Sequence, residues 1–207
     1  MGQVVALDSL LHARQVWKGR AVSLPDSSQP TGWPALDAAL PSGGWPEHAM
    51  TEILLPVDGV GELQLVLPTL ARLTQEARSV MLIAPPYLPY VPGWEARGVV
   101  MSRVDIVQAG ERDVLWAAEQ CLRSGSCAAV LAWPLQADDR ALRRLQVAAD
   151  TGKALAFVFR DQRHAVQASP AALRLELESE PSLQVRIRKC RGGQPPTGML
   201  PLAAGWS

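Results

Sequence analysis

The residues best placed to do chemistry lie in Thr51-Glu-Ile-Leu-Leu-Pro-Val-Asp-Gly-Val-Gly-Glu-Leu-Gln-Leu65. An apolar strand, Ile53 to Leu55, runs into a Pro/Gly turn and then into a helix starting near Glu62. A loop that cradles phosphate has the spacing G-x-x-x-x-G-K-[ST] at such a junction. Its lysine reaches the phosphates and its hydroxyl holds magnesium. Here Gly61 takes the last glycine position, but Pro56 stands at the first. Glu62 replaces the lysine and Leu63 the hydroxyl. A carboxylate in place of an ammonium reverses a Coulomb energy of about 4 kcal/mol for unit charges 4 Å apart near a protein surface. The outline of a phosphate site is kept and its chemistry is gone. A plainer reading is compatible: Glu62 is the first-turn acid of an ordinary helix, and Asp58-Gly59 with Gly61 is a turn.

No other catalytic set stands out. His12, His48 and His164 lack ligand spacing, so no metal is expected and they are assigned no role. Cys121, Cys127 and Cys190 form no C-x-x-C pair and read as reduced thiols of a cytoplasmic protein. Formal charge is zero, with 20 basic and 20 acidic residues, which argues against charge-driven DNA binding over the whole surface. No apolar run is long enough for a membrane span or shaped like a signal peptide.

The elements that must position the loop alternate in type. Strands are expected at 49–55, 79–84, 103–107, 127–133 and 154–159. Helices are expected at 62–77, 111–124 and 137–151, with Pro68 kinking or cutting the first. Glu111 and Asp113 should lie in the first turn of the second helix. Residues 85–94 hold four prolines and should be irregular. Fully apolar strands separated by helices indicate a parallel sheet covered on both faces. Residues 171–178 and 183–189 alternate and suit antiparallel edge strands. The chain thus divides into a helical arm and linker (1–30), an α/β core (31–190) and a Gly/Pro-rich flexible tail (191–207).

The core resembles RecA. Thr31-Gly32-Trp33-Pro34-Ala35-Leu36-Asp37, Leu40 and Gly43-Gly44, followed by Thr51-Glu52-Ile53, match the Thr-Gly…Leu-Asp…Leu…Gly-Gly approach to the RecA phosphate loop. The resemblance implies a RecA-like P-loop NTPase-type core with a mostly parallel sheet. It also exposes two more losses. RecA has a catalytic glutamate after its second strand, where this chain has Ile83-Ala84-Pro85-Pro86-Tyr87. RecA ends a later strand with a magnesium-supporting aspartate, where this chain has Leu131-Ala132-Trp133-Pro134. Phosphoryl transfer relies on placed cations and metal ligands. The nucleotide site is therefore expected to be degenerate, with no cofactor, and Trp133 to fill part of it.

Two bacterial families share this degenerate core. Ala129-Val-Leu-Ala-Trp133 to Ala156-Phe-Val-Phe-Arg160 resembles SulA, the cell-division inhibitor that binds FtsZ. A longer resemblance is to ImuA, an accessory protein of damage-induced mutagenesis. It rests on the segment Leu10 to Arg20, on Leu40-Pro-Ser-Gly-Gly-Trp-Pro46, and on Val185-Arg-Ile-Arg-Lys-Cys-Arg-Gly-Gly193. The ImuA resemblance implies partners: an ImuB-type polymerase-like protein, RecA and an error-prone replicative-type polymerase, with contact to DNA indirect or weak.

Two segments are candidates for such contacts. Leu7, Leu10, Leu11 and Trp17 fall at near-helical spacing in residues 5–18. This stripe either packs on its own core or docks on a neighbouring RecA-type surface across the polar linker. Arg186, Arg188, Lys189 and Arg191 form a basic run, with Arg186 and Arg188 on one strand face. It is either a charged, solvated edge or a patch for a partner or DNA phosphate. The expected function is a non-catalytic, ImuA-type adaptor of translesion synthesis. The alternatives are a SulA-type inhibitor and a residual nucleotide-binding RecA paralogue.

Overall fold

The computed structural model describes residues 25–180 and 182–203. Eight strands form one sheet in the order β3-β2-β4-β5-β1-β6-β7-β8. In chain order the elements are α1 (Pro34–Ala39), β1 (Met50–Leu55), α2 (Glu62–Gln75), β2 (Val80–Ile83), α3 (Val91–Glu95) and β3 (Val104–Val107). They continue with α4 (Val114–Arg123), β4 (Ala129–Ala132), α5 (Asp139–Gly152), β5 (Leu155–Asp161), β6 (Leu173–Glu178), β7 (Gln184–Cys190) and β8 (Leu200–Pro201). Strands β1 to β6 are mutually parallel, β7 is antiparallel to β6, and β8 is antiparallel to β7.

Side chains on successive strand positions point to opposite faces, and the two faces carry separate cores. Ile53, Leu131 and Phe157 pack with Trp33, Trp45, Leu65, Leu70 and Leu73 on the α2 side. Met50, Val130, Ala156 and Val158 pack with Val114, Leu122, Leu142 and Leu145 on the α4/α5 side. Continuous apolar strands form because both faces are covered.

Several expectations need correction. Helix α2 runs through Pro68 from Glu62 to Gln75 without ending. Proline removes the hydrogen bond to the carbonyl four residues back, but the tertiary fit accommodates its ring. Gly32, at φ +83°, lies so close that a Cβ there would sit 2.3 Å from Pro68 Cβ. The proline-rich stretch contains α3, with Pro92 in its first turn, where no N–H is needed. Helix α4 starts at Val114, so Asp113 is its N-cap and Glu111 lies outside it.

The expected edge strand 171–178 is interior: β6 lies parallel to β1 on one side and antiparallel to β7 on the other. Part of the expected linker is tied down. Ser27 N–H donates to Ser42 O at 2.6 Å, and Trp45 N–H donates to Gln29 O at 2.8 Å. Part of the expected tail is sheet, because β8 pairs with Gln184 and Val185 and buries Leu202. Trp33, Trp45 and Trp94 are all buried, Trp94 within α3.

Candidate functional site

Ligands of open α/β sheets bind beyond the carboxyl ends of the strands, and the loop 56–61 lies there, between β1 and α2. Gly61 caps α2 with φ 101°, a left-handed value open to glycine. Glu62 does not point to solvent. Its residue is 3% exposed, and its Oε1 accepts the Gly59 N–H at 3.0 Å. A peptide N–H of the loop that would serve an anion is thus taken by the chain's own carboxylate. Glu62 Oε2 is buried and has no hydrogen-bond partner among the described residues.

The sequence-derived residues converge here. Gly59, Gly61, Glu62, Leu63 and Pro86 line one cavity of about 170 Å³ together with Tyr87. Pro56 and Trp133 line an adjoining crevice of about 260 Å³ with Leu55, Phe159 and Arg160. Trp133 is 7% exposed and stacks on Phe159, with ring centroids 4.5 Å apart. Its indole lies just past the end of β4, where the RecA resemblance implies a metal-supporting aspartate. Its Nε1–H has no partner among the described residues.

Beneath this edge lies a feature that the sequence reading missed. Glu52 in β1 is 0% exposed and faces two arginines from the flanking strands. Arg160 Nη1 donates to Oε1, and Arg174 Nε donates to Oε2, each at 2.6 Å. Arg160 also donates to Ala137 O, and Arg174 to His164 O and Gln167 O. One carboxylate therefore serves two buried guanidiniums, which in turn pin the segments before α5 and after β5. The available signal was a lone carboxylate inside a fully buried strand.

The basic run is not brought to the loop. Arg186 pairs in register with Glu176, and Lys189 with Arg174, so the run descends β7 toward the opposite end of the sheet. Arg186 and Arg188 share a face, and both approach Glu176, at 4.0 and 3.4 Å. Lys189 Nζ donates to Ser169 O. Burial, then Arg191 and Arg174, holds its pKa below the usual lysine value. Leu7, Leu10, Leu11 and Trp17 lie outside the described residues. Among the described residues no cluster of His, Cys, Asp or Glu suits a metal ion, and no helix is long and apolar enough to cross a membrane.

Fold and site together define a mixed α/β protein with a mostly parallel eight-stranded sheet and, at its carboxyl edge, a loop tied to the Glu62 carboxylate. No protein-family model matches the chain, and no curated protein matches it. Among solved structures it is similar to SulA from Pseudomonas aeruginosa: 30% identity, covering 53% of this chain and 96% of that one, with a TM-score of 0.45.

Proposed function

We propose that this chain is a non-catalytic adaptor of the ImuA type, acting in damage-induced translesion DNA synthesis by binding other proteins. The partners proposed are an ImuB-type protein, RecA and the error-prone polymerase. The observation that carries the non-catalytic part is Glu62, which sits at the lysine position and takes the Gly59 N–H for itself. The ImuA part is supported by Leu40 to Pro46 and by Val185 to Gly193. In the first, Trp45 anchors the loop; in the second, the basic strand leads into Gly192-Gly193. A second reading, a SulA-type inhibitor that binds FtsZ, is favoured by the stretches Ala129–Trp133 and Ala156–Arg160. Co-purification of the full chain with each purified candidate separates the two. Capture of FtsZ alone would overturn the adaptor.

Mg-ATP is expected neither to bind at micromolar concentration nor to be hydrolysed. Isothermal calorimetry checks this. Micromolar binding that is lost on substitution within 56–63 would instead support the nucleotide-binding paralogue.

The basic strand is proposed as part of the partner contact, together with the N-terminal arm. Deleting residues from 182 onward cannot test this cleanly. It removes β7, in which Val185 and Ile187 are 0% and 3% exposed. Arg186→Ala with Arg188→Ala is the better variant. The partly exposed pairs that these arginines make with Glu176 are worth about 0–1 kcal/mol each. The double variant is expected to lower its melting temperature by no more than a few degrees and to weaken binding of a partner. Unchanged affinity for all three candidates removes the strand from the interface.

A further inference from the structure

The loop has exchanged one binding preference for the opposite one. A phosphate cradle presents N–H groups and a cation to an anion. Here the carboxylate of Glu62 is enclosed at the same place, and only one of its oxygens is satisfied. Leaving a buried charged group without a partner is costly, and no cation among the described residues pairs with this one. The cavity that Glu62 lines measures about 170 Å³ and has Tyr87 as its aromatic wall. That is below the range of small-molecule sites, roughly 300–1,000 Å³, and suits a single side chain. Tyr87, Leu88 and Tyr90 on the adjoining loop are 65%, 71% and 73% exposed. Exposed aromatics around a small pocket are the composition of an interface hot spot.

We propose that this cavity is a seat for an arginine side chain of a partner protein, whose guanidinium pairs with Glu62 and lies against Tyr87, with the exposed Tyr87-Leu88-Tyr90 loop as the surrounding contact. Arginine fits better than lysine because its planar guanidinium both hydrogen-bonds a carboxylate and stacks on an aromatic face. The inference rests on the adaptor reading for the identity of the partner, and on the cavity alone for its chemistry.

Two measurements test it. The first is an NMR titration of the full chain with N-acetyl-arginine amide, with N-acetyl-norleucine amide and magnesium chloride as comparisons. The arginine compound is expected to shift the Gly59 amide and the Tyr87 ring saturably in the millimolar range. Glu62→Gln keeps an acceptor for Gly59 N–H, so the loop should stay folded. It should weaken binding by at least about tenfold, the worth of a hydrogen bond to a charged group. Tyr87→Ala, at an exposed position, should weaken it by about two- to fivefold. The absence of a saturable shift, equal binding of the norleucine compound, or saturation by magnesium at lower concentration each overturns the proposal. The second measurement is the affinity of these variants for whichever candidate partner binds the wild-type chain. Weakening of that complex by both variants supports the seat. An unchanged complex overturns the seat and leaves the adaptor reading standing. If no candidate binds the wild-type chain, the adaptor reading fails and the titration alone decides the seat.

Discussion

Glu52→Ala is expected to lower the thermal midpoint by roughly 6–20 °C. Its carboxylate accepts from Arg160 and from Arg174, each at 2.6 Å, and it is fully enclosed between β5 and β6. Without it two buried guanidiniums face each other with no counter-ion. Removing one partner of a buried ion pair costs about 3–5 kcal/mol, and about 1 kcal/mol shifts the midpoint by roughly 2–4 °C at this size. Differential scanning calorimetry reads the change. A loss below about 3 °C would mean that water reaches the site and screens it. Replacing all three residues together by Leu, Met and Met should recover much of the loss, because well-packed apolar residues often equal a buried ion pair. The recovery should be incomplete. Arg160 and Arg174 also hold the carbonyls of Ala137, His164 and Gln167, and those loops should exchange their amide hydrogens faster.

Trp45→Ala should cost about 3–5 kcal/mol, the usual range for emptying a buried aromatic site. Trp45 is 0% exposed and meets Phe157 edge-on, with ring centroids 5.0 Å apart. Its Nε1–H donates to Thr69 Oγ1 at 2.7 Å, and that hydroxyl donates to Thr31 O. The indole thus binds the Gly43-Gly44 turn and Thr31 to helix α2, whose first residue is Glu62. Trp45→Phe keeps most of the packing and loses one hydrogen bond, worth about 0.5–1.5 kcal/mol. Urea titration of the two variants against wild type checks the ordering. A phenylalanine variant as unstable as the alanine variant would place the hydrogen bond, rather than the packing, in control.

The layering of the fold was legible because Ala129–Ala132 and Leu155–Phe159 are apolar at every position, as strands buried on both faces must be. The loop was legible because Pro56, Gly61, Glu62 and Leu63 fall at fixed offsets from a strand end. What was missed depends on distance along the chain. The alternation of 171–178 is the same whether its neighbour is parallel or antiparallel, so nothing local placed β6 beside β1. Glu52 shows no partner until both neighbouring strands are in place. Pro68 looked like a break because its companion, Gly32, lies far back in the chain, in the loop before α1. The two residues of β8 are too few to show any period, and only pairing with Gln184 and Val185 reveals them as a strand.

The position of β1 has a consequence for how the chain is made. Among the described strands it is the first to be synthesised, yet both its sheet neighbours come much later. The two arginines that neutralise Glu52 lie 108 and 122 positions downstream. At about 5–20 residues per second, that leaves a charged strand of mostly apolar residues waiting roughly 6–24 s for its pairing edges and its counter-ions. The nascent chain therefore cannot complete the centre of the sheet until Arg174 has been synthesised. During that interval Glu52 is the charge that opposes pairing of the exposed strand edge with another copy.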